Sequence, residues 1–178
     1  MFAITGITGN VGGNVARNLL AAGRPVRAVM CDVRKGDGWA QRGCELATAD
    51  ILDVAALASA FEGAEGVFVL VPPNFDPAPS FPEARATAAT LKWAIERARP
   101  GRVVYLSTIG AQAGVANLLT QHTILPKNFQ NGFVRAGQPR KVIEFCSWAK
   151  EPASIPPSGG VVAWLLSGTV SSPAAGSK

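Results

Sequence analysis

The apolar positions of this chain fall into short blocks of two alternating kinds. The first kind is a brief, mostly apolar run bounded by glycine, proline or charge: "FAIT" (Phe2 to Thr5), "VRAVM" (Val26 to Met30), the weaker "CELATAD" (Cys44 to Asp50), "GVFVLVPP" (Gly66 to Pro73) and "RVVYLST" (Arg102 to Thr108). Such runs predict buried strands, the fourth being rich in β-branched and aromatic residues and stopped by its prolines. The second kind has helical spacing. Val11, Val15, Leu19 and Ala22, with Leu20 beside them, mark a helix ended by Gly23. Asp53 to Phe61 opens on an aspartate suited to capping, and Pro82 to Arg99 carries its proline near the start, where a missing N–H costs nothing.

Strand and helix therefore alternate from Phe2 to Thr108. Strands apolar on both faces suit a parallel sheet covered by helices on each side. The right-handed crossover rule then predicts an α/β fold: a doubly wound, mostly parallel Rossmann sheet of order 3-2-1-4-5. After Leu125 the pattern breaks. "PKNFQNGFVRAGQPRK" has no clear period, "KEPASIPPSGG" reads as loop and "SSPAAGSK" as a frayed end; six of the thirteen prolines fall there, and only "VVAWLL" (Val161 to Leu166) suggests a further strand. The expected division is a domain over residues 1–125 and a divergent, loop-rich tail over 126–178. Truncation or a change of reading frame is favoured over a genuinely different ending. On that expectation the fifth strand is left as an uncapped edge and the cleft beside it has one wall.

Composition adds little to this picture. With 48% hydrophobic and 16% charged residues the 178-residue chain is expected to fold, with enough length for one domain and a sizeable core. The net charge of +5 is uneven: eleven basic and ten acidic residues lie up to Leu125, six basic and two acidic after it. The tail charges are scattered and lack aromatic interleaving, so nucleic-acid binding is not expected. No apolar run approaches the roughly 18 residues of a membrane span. "MFAITGITGN" has no basic leader, which makes the cytoplasm the expected location. Cys31, Cys44 and Cys146 lack metal-like spacing and are read as free thiols, with no metal site expected.

The candidate chemistry begins at the first turn. Gly6, Gly9 and Gly12 form G-x-x-G-x-x-G between a strand and a helix. In that context the first glycine allows a tight turn, the next a close backbone approach to a pyrophosphate, and the last close helix–strand packing. Amides at the helix start, with Thr8, Asn10 and Val11 in the same turn, would face the phosphates. The other reading is a glycine-rich turn that binds nothing, and the alternating pattern behind it favours dinucleotide binding.

Three segments, "ITGITGNVGGNVARNLL", "ADILDVAALASAFEGAEGVFVLVPPN" and "GRVVYLSTIGAQ", together resemble the NmrA-like NAD(P)-binding proteins, atypical members of the short-chain dehydrogenase/reductase superfamily. The resemblance runs from about Met1 to about Leu125. It implies a bound NAD or NADP, contacts to adenine from Asp50 and Ile51, and either quinone-type reductase activity or a regulator's redox sensing. Asp50 serves equally well as a helix-entry residue. The loop "VMCDVRKG" leaves the cofactor open. Asp32 favours NAD, Arg34 and Lys35 favour a 2′-phosphate, all three also read as ordinary loop charge, and Cys31 stands where the family often has arginine. The resemblance tips the choice to NADP. Val71, Pro72 and Pro73, at the carboxyl edge of the sheet, are candidates for the ribose and nicotinamide, although strand-ending prolines need no ligand to explain them. Ser107 and Thr108 sit near the expected nicotinamide end or simply satisfy local backbone groups.

A catalytic residue does not present itself. The tyrosine–lysine pair of ordinary short-chain dehydrogenases is absent, since four residues after Tyr105 stands Ile109. His122 is the single histidine and reads better as a helix-surface residue than as a proton donor. Three expectations follow: hydride transfer from NAD(P)H to a small quinone-like acceptor, a non-enzymatic dinucleotide sensor with a protein partner, or an inactive truncated product.

Overall fold

In the computed structural model the described residues are 1–107 and the strand at 141–146. They form a six-stranded, wholly parallel sheet in the order β3-β2-β1-β4-β5-β6. The strands are β1 (Phe2–Thr5), β2 (Val26–Met30), β3 (Glu45–Thr48), β4 (Gly66–Leu70), β5 (Arg102–Ser107) and β6 (Lys141–Cys146). The helices are α1 (Asn10–Ala21), α2 (Asp37–Ala40), α3 (Val54–Phe61) and α4 (Pro82–Ala98). The expected order 3-2-1-4-5 is present, and one more strand extends it. Strand β6 pairs with β5 from Arg102↔Lys141 to Ser107↔Cys146, so the expected uncapped edge at β5 is covered by a neighbouring strand. The suggested strand at 161–166 lies outside the described residues.

The sheet is covered on both faces. On one face Phe2, Ile4, Ala28, Met30, Phe68 and Val104 pack with Val15, Ala16 and Leu19 of α1 and with Trp39 of α2. On the other, Ala3, Val29, Val67, Val69, Val103 and Tyr105 pack with Leu57 and Phe61 of α3 and with Leu91 and Ile95 of α4. Alternate residues of one strand thus serve opposite layers, the period-two rule of a pleated sheet.

Helix α1 buries Val15 and Leu19 as its apolar spacing predicts, but the buried face is shifted towards its glycines. Its buried residues are Gly12, Gly13, Val15, Ala16 and Leu19, whereas Val11 is 42% exposed and Ala22 lies outside the helix. The cause is the glycine pair. Residues without side chains let the helix start lie directly against the end of β1, and Val11 is rotated outward to the rim of the turn. Helix α3 begins as expected: the Asp53 carboxylate accepts hydrogen bonds from the amides of Ala55 (2.8 Å) and Ala56 (3.0 Å). Its far end is satisfied by Arg27 of β2, whose Nη1 donates to the carbonyls of Ala60 (2.9 Å) and Glu62 (2.8 Å). At the amino edge of the sheet, Glu65 bridges Arg24 (2.6 Å) and Arg102 (3.2 Å), away from the carboxyl edge where the glycine turn lies.

Candidate functional site

Strand β1 delivers the chain to the carboxyl edge of the sheet, where Gly6 turns it with a φ of +61°. A side chain there would be strained in its backbone, and its Cβ would also lie 2.9 Å from Leu70 Cδ2. The Gly9 amide closes the turn onto the Gly6 carbonyl at 3.0 Å. Gly9 caps α1 in an extended conformation and supplies no capping side chain. Gly12 packs so closely that a Cβ on it would meet the Gly6 carbonyl oxygen at 2.4 Å.

The amide of Gly13 reaches back to the Gly9 carbonyl at 3.0 Å, so the amides of Asn10, Val11 and Gly12 come before the first intrahelical bond. No acidic side chain stands in this first turn. Among the described residues, no capping side chain and no first-turn acid offsets the positive end of the helix. This is the donor set that a diphosphate requires: several backbone N–H groups, a favourable dipole, and no Cβ between them and the ligand. The residues fit the dinucleotide that the turn implies.

Opposite the turn stand the ends of β4 and β5. Together they enclose a cleft of about 480 Å³, lined on one side by Gly6, Thr8, Gly9, Asn10, Val11 and Gly12. The other side is Leu70, Val71, Pro72, Pro73 and Leu106. Nine residues singled out from the sequence are thus brought together. Leu70 and Leu106 were not singled out. Each is an apolar residue at the carboxyl end of a central strand, a position from which alternating pleat directions send side chains to the cleft or to either layer.

The remaining candidates lie elsewhere. Asp50 is exposed, accepts a hydrogen bond from the Leu52 amide at 2.8 Å, and leads into α3; Ile51 packs on the α3–α4 layer. Neither lines the cleft. Ser107 ends β5 next to Leu106, while Thr108, Ile109 and His122 lie outside the described residues. Tyr105 is 1% exposed within the α3–α4 layer, so its ring is committed to packing. Among the described residues no group of three or more histidine, cysteine or acidic side chains is placed to hold a metal. Nor is any described helix long and apolar enough to cross a membrane.

The loop after β2 has more order than its sequence suggested. Asp32 caps a single 3-10 turn, Val33–Lys35, by accepting the Arg34 amide at 3.1 Å. The Arg34 side chain folds back onto the same carboxylate, Nε to Oδ1 at 2.9 Å and Nη2 to Oδ2 at 3.0 Å. The guanidinium first, then the amide, hold the Asp32 carboxyl below the usual carboxylate range, and Asp32 in turn raises Arg34. The two residues that argued for opposite cofactors are paired with each other. Cys31 is exposed; Cys44 is buried beneath this layer, and burial pushes its thiol pKa up.

Comparison with known proteins agrees with this geometry. The sequence pattern of a family described as NAD(P)H-binding matches residues 6–142. Solved structures share the fold. A Citrobacter sp. triphenylmethane reductase complexed with NADP(H) has a TM-score of 0.62 and 22% identity, over 73% of this chain and 45% of that one. An NADPH-dependent quinone oxidoreductase from Escherichia coli, complexed with NADPH, has a TM-score of 0.61 and 24% identity, over 74% of this chain and 45% of that one. A nucleoside-diphosphate-sugar epimerase from Pseudomonas aeruginosa has a TM-score of 0.66 and 21% identity, over 82% of this chain and 51% of that one. The match to each takes in about half of that protein's length. No curated protein matches the sequence.

Proposed function

This chain belongs to the NAD(P)H-binding family, and from that premise we propose that it is the dinucleotide-holding part of an oxidoreductase that uses NADPH to reduce a small quinone-like acceptor. The observation that carries the proposal is the glycine cradle: the helix-start amides that precede the first intrahelical bond, set across a 480 Å³ cleft from an apolar wall. In this reading Gly6, Gly9 and Gly12 admit the diphosphate, and the amides of Asn10 to Gly12 bind it. Val71, Pro72, Pro73 and Leu106 flank the nicotinamide and exclude water from one face. Bound NADPH supplies a hydride equivalent, chemistry that belongs to the cofactor while the protein supplies position. Tyr105 takes no part, because it is buried in the α3–α4 layer. Solvent then supplies the acceptor's proton.

A second reading, a non-enzymatic redox sensor acting on a protein partner, draws on the same buried tyrosine and on a cleft lining that holds no acid–base pair among the described residues. Two measurements separate the readings. Titration of NADPH and NADH, followed by nicotinamide fluorescence, tests the cradle, and failure of both to bind overturns the proposal. Turnover with simple quinones then distinguishes enzyme from sensor: reduction supports the first, and binding that differs between NADPH and NADP+ without reduction supports the second.

A further inference from the structure

The glycines that open the cradle also weaken the helix that supplies its amides. Gly9 caps α1 without a capping side chain, and two of the first four helical residues, Gly12 and Gly13, are glycine, the poorest helix former after proline. Local propensity alone leaves such a helix start frayed. A diphosphate, however, is bound well by amides that already stand in place.

The order comes from side chains that pack on the start. A Cβ placed on Gly13 would lie 3.0 Å from the Ile7 carbonyl oxygen, 3.4 Å from Arg17 Nη1 and 3.5 Å from Trp39 Cζ2. The first turn of α1 is thus bounded by the backbone that follows β1 and by the side chains of Arg17 and Trp39. Trp39 is 8% exposed and shares the layer of Val15, Ala16 and Leu19. It belongs to the four-residue helix α2, DGWA, in which no other residue is large. Its backbone is nevertheless held: the amide donates to the Gly36 carbonyl at 2.8 Å, and the carbonyl accepts from the amides of Arg42 (3.1 Å) and Cys44 (3.0 Å). The guanidinium carbons of Arg17 and Arg42 stand over its ring, 5.9 and 5.7 Å from the centroid, within cation–π range. Arg17 also donates to the Asn14 side chain at 2.9 Å, which ties the ring to the residue after the glycine pair.

We propose that Trp39 is a positioning residue for the dinucleotide: its indole, held by Arg17 and Arg42, keeps the glycine-built start of α1 ordered, so that the amides of Asn10 to Gly12 meet the diphosphate preformed. The inference rests on the dinucleotide reading above. It concerns the diphosphate, which NADPH and NADH share, and Trp39 acts on it through α1 without touching it.

Trp39→Leu should therefore weaken NADPH and NADH by the same factor, about fivefold or more, with the ratio between them unchanged. Trp39→Phe keeps a ring for the arginines and should stay within about twofold of the parent. Leu19→Ala is the control for lost packing. It lies in the same layer but about two turns along α1 from the glycines, and it should lower the melting temperature at least as far while leaving both dissociation constants within about twofold. Dissociation constants are read from nicotinamide fluorescence at a temperature where melting curves show every variant folded. Amide exchange is the second readout: the Gly13 amide, bonded to the Gly9 carbonyl, should exchange faster in Trp39→Leu and not in Leu19→Ala. Binding of neither dinucleotide by the unaltered chain overturns the proposed function, and the role of Trp39 falls with it. If the unaltered chain binds, the role of Trp39 alone is overturned by unchanged affinities in Trp39→Leu, by equal weakening in Leu19→Ala, by a changed NADPH-to-NADH ratio, by no recovery in Trp39→Phe, or by Gly13 exchange that does not move.

Discussion

A Cβ placed on Gly12 would lie 2.4 Å from the carbonyl oxygen of Gly6, and 2.9 Å from that of Thr5. Both neighbours are backbone, so nothing can swing aside; α1 would have to lift off the end of β1. Gly12→Ala is expected to destabilise the fold by ~1–3 kcal/mol, the usual cost of overpacking, and to weaken NADPH binding at least tenfold. Gly9→Ala is the contrast. Its nearest non-neighbour atom is the Gly6 oxygen at 3.3 Å, and its φ of −88° suits any residue. The Gly9 variant should melt close to the parent while still binding less NADPH, because only the approach to the ligand is narrowed. Thermal melts and fluorescence titrations on both variants separate packing from binding.

Arg27 ties β2 to the end of α3. Its side chain is 16% exposed and donates to two carbonyls, while its ion-pair partner Glu45 is 48% exposed. The carbonyl bonds should matter more than the ion pair. Arg27→Met is expected to cost ~1–3 kcal/mol in urea unfolding because it strands helix-end acceptors. Glu45→Gln should cost ~0–1 kcal/mol, the range of an exposed pair.

Tyr105 offers a direct test of the acid–base reading. If the buried phenol only packs, Tyr105→Phe should leave the rate and pH profile of any quinone reduction unchanged, with stability lower by ~1 kcal/mol for the lost hydroxyl contact. A large fall in kcat would return the tyrosine to the chemistry.

The Asp32–Arg34 pair carries a pH signature of known sign. Asp32 titrates below the ordinary carboxylate range because the charged form is held by the guanidinium and the amide. A depressed carboxylate contributes its stabilisation above its unfolded pKa and loses it as pH falls through the folded one. Carboxyl-carbon NMR should therefore find Asp32 still ionised at acid pH where exposed aspartates are half protonated. In Arg34→Ala its titration should move back toward the ordinary range.

The legible parts of this chain were those where one physical signal dominates. Asp53 and Pro82 announced helix starts because each satisfies or avoids an orphan amide. The central strands were marked by runs apolar on both faces, as in "GVFVL". The missed elements have weaker signals. Helix α2 spans only Asp37–Ala40, too short to show a period, and the 3-10 turn before it depends on one aspartate. Strand β6 begins at Lys141 and contains Glu144, which disguises it among the scattered charges around it. In the cleft, the glycines and prolines stood out because they do something to the backbone, while Leu70 and Leu106 looked like any other core residue. The pairing of Asp32 with Arg34 could not be read at all, since spacing of two residues permits contact without requiring it.

The sheet order also sets a timetable for synthesis. Strand β1 is made before both of its neighbours, and they follow it at very different times. It pairs with β2 at Phe2↔Val26 and with β4 at Phe2↔Gly66. At roughly 5–20 residues per second, the second partner follows the first by roughly 2 to 8 s. For that interval one side of β1 is a bare row of amides and carbonyls beside Phe2 and Ile4. The strand that leads into the cradle is thus open to wrong pairing during that interval, and chaperone dependence should concentrate before residue 70 is made rather than after.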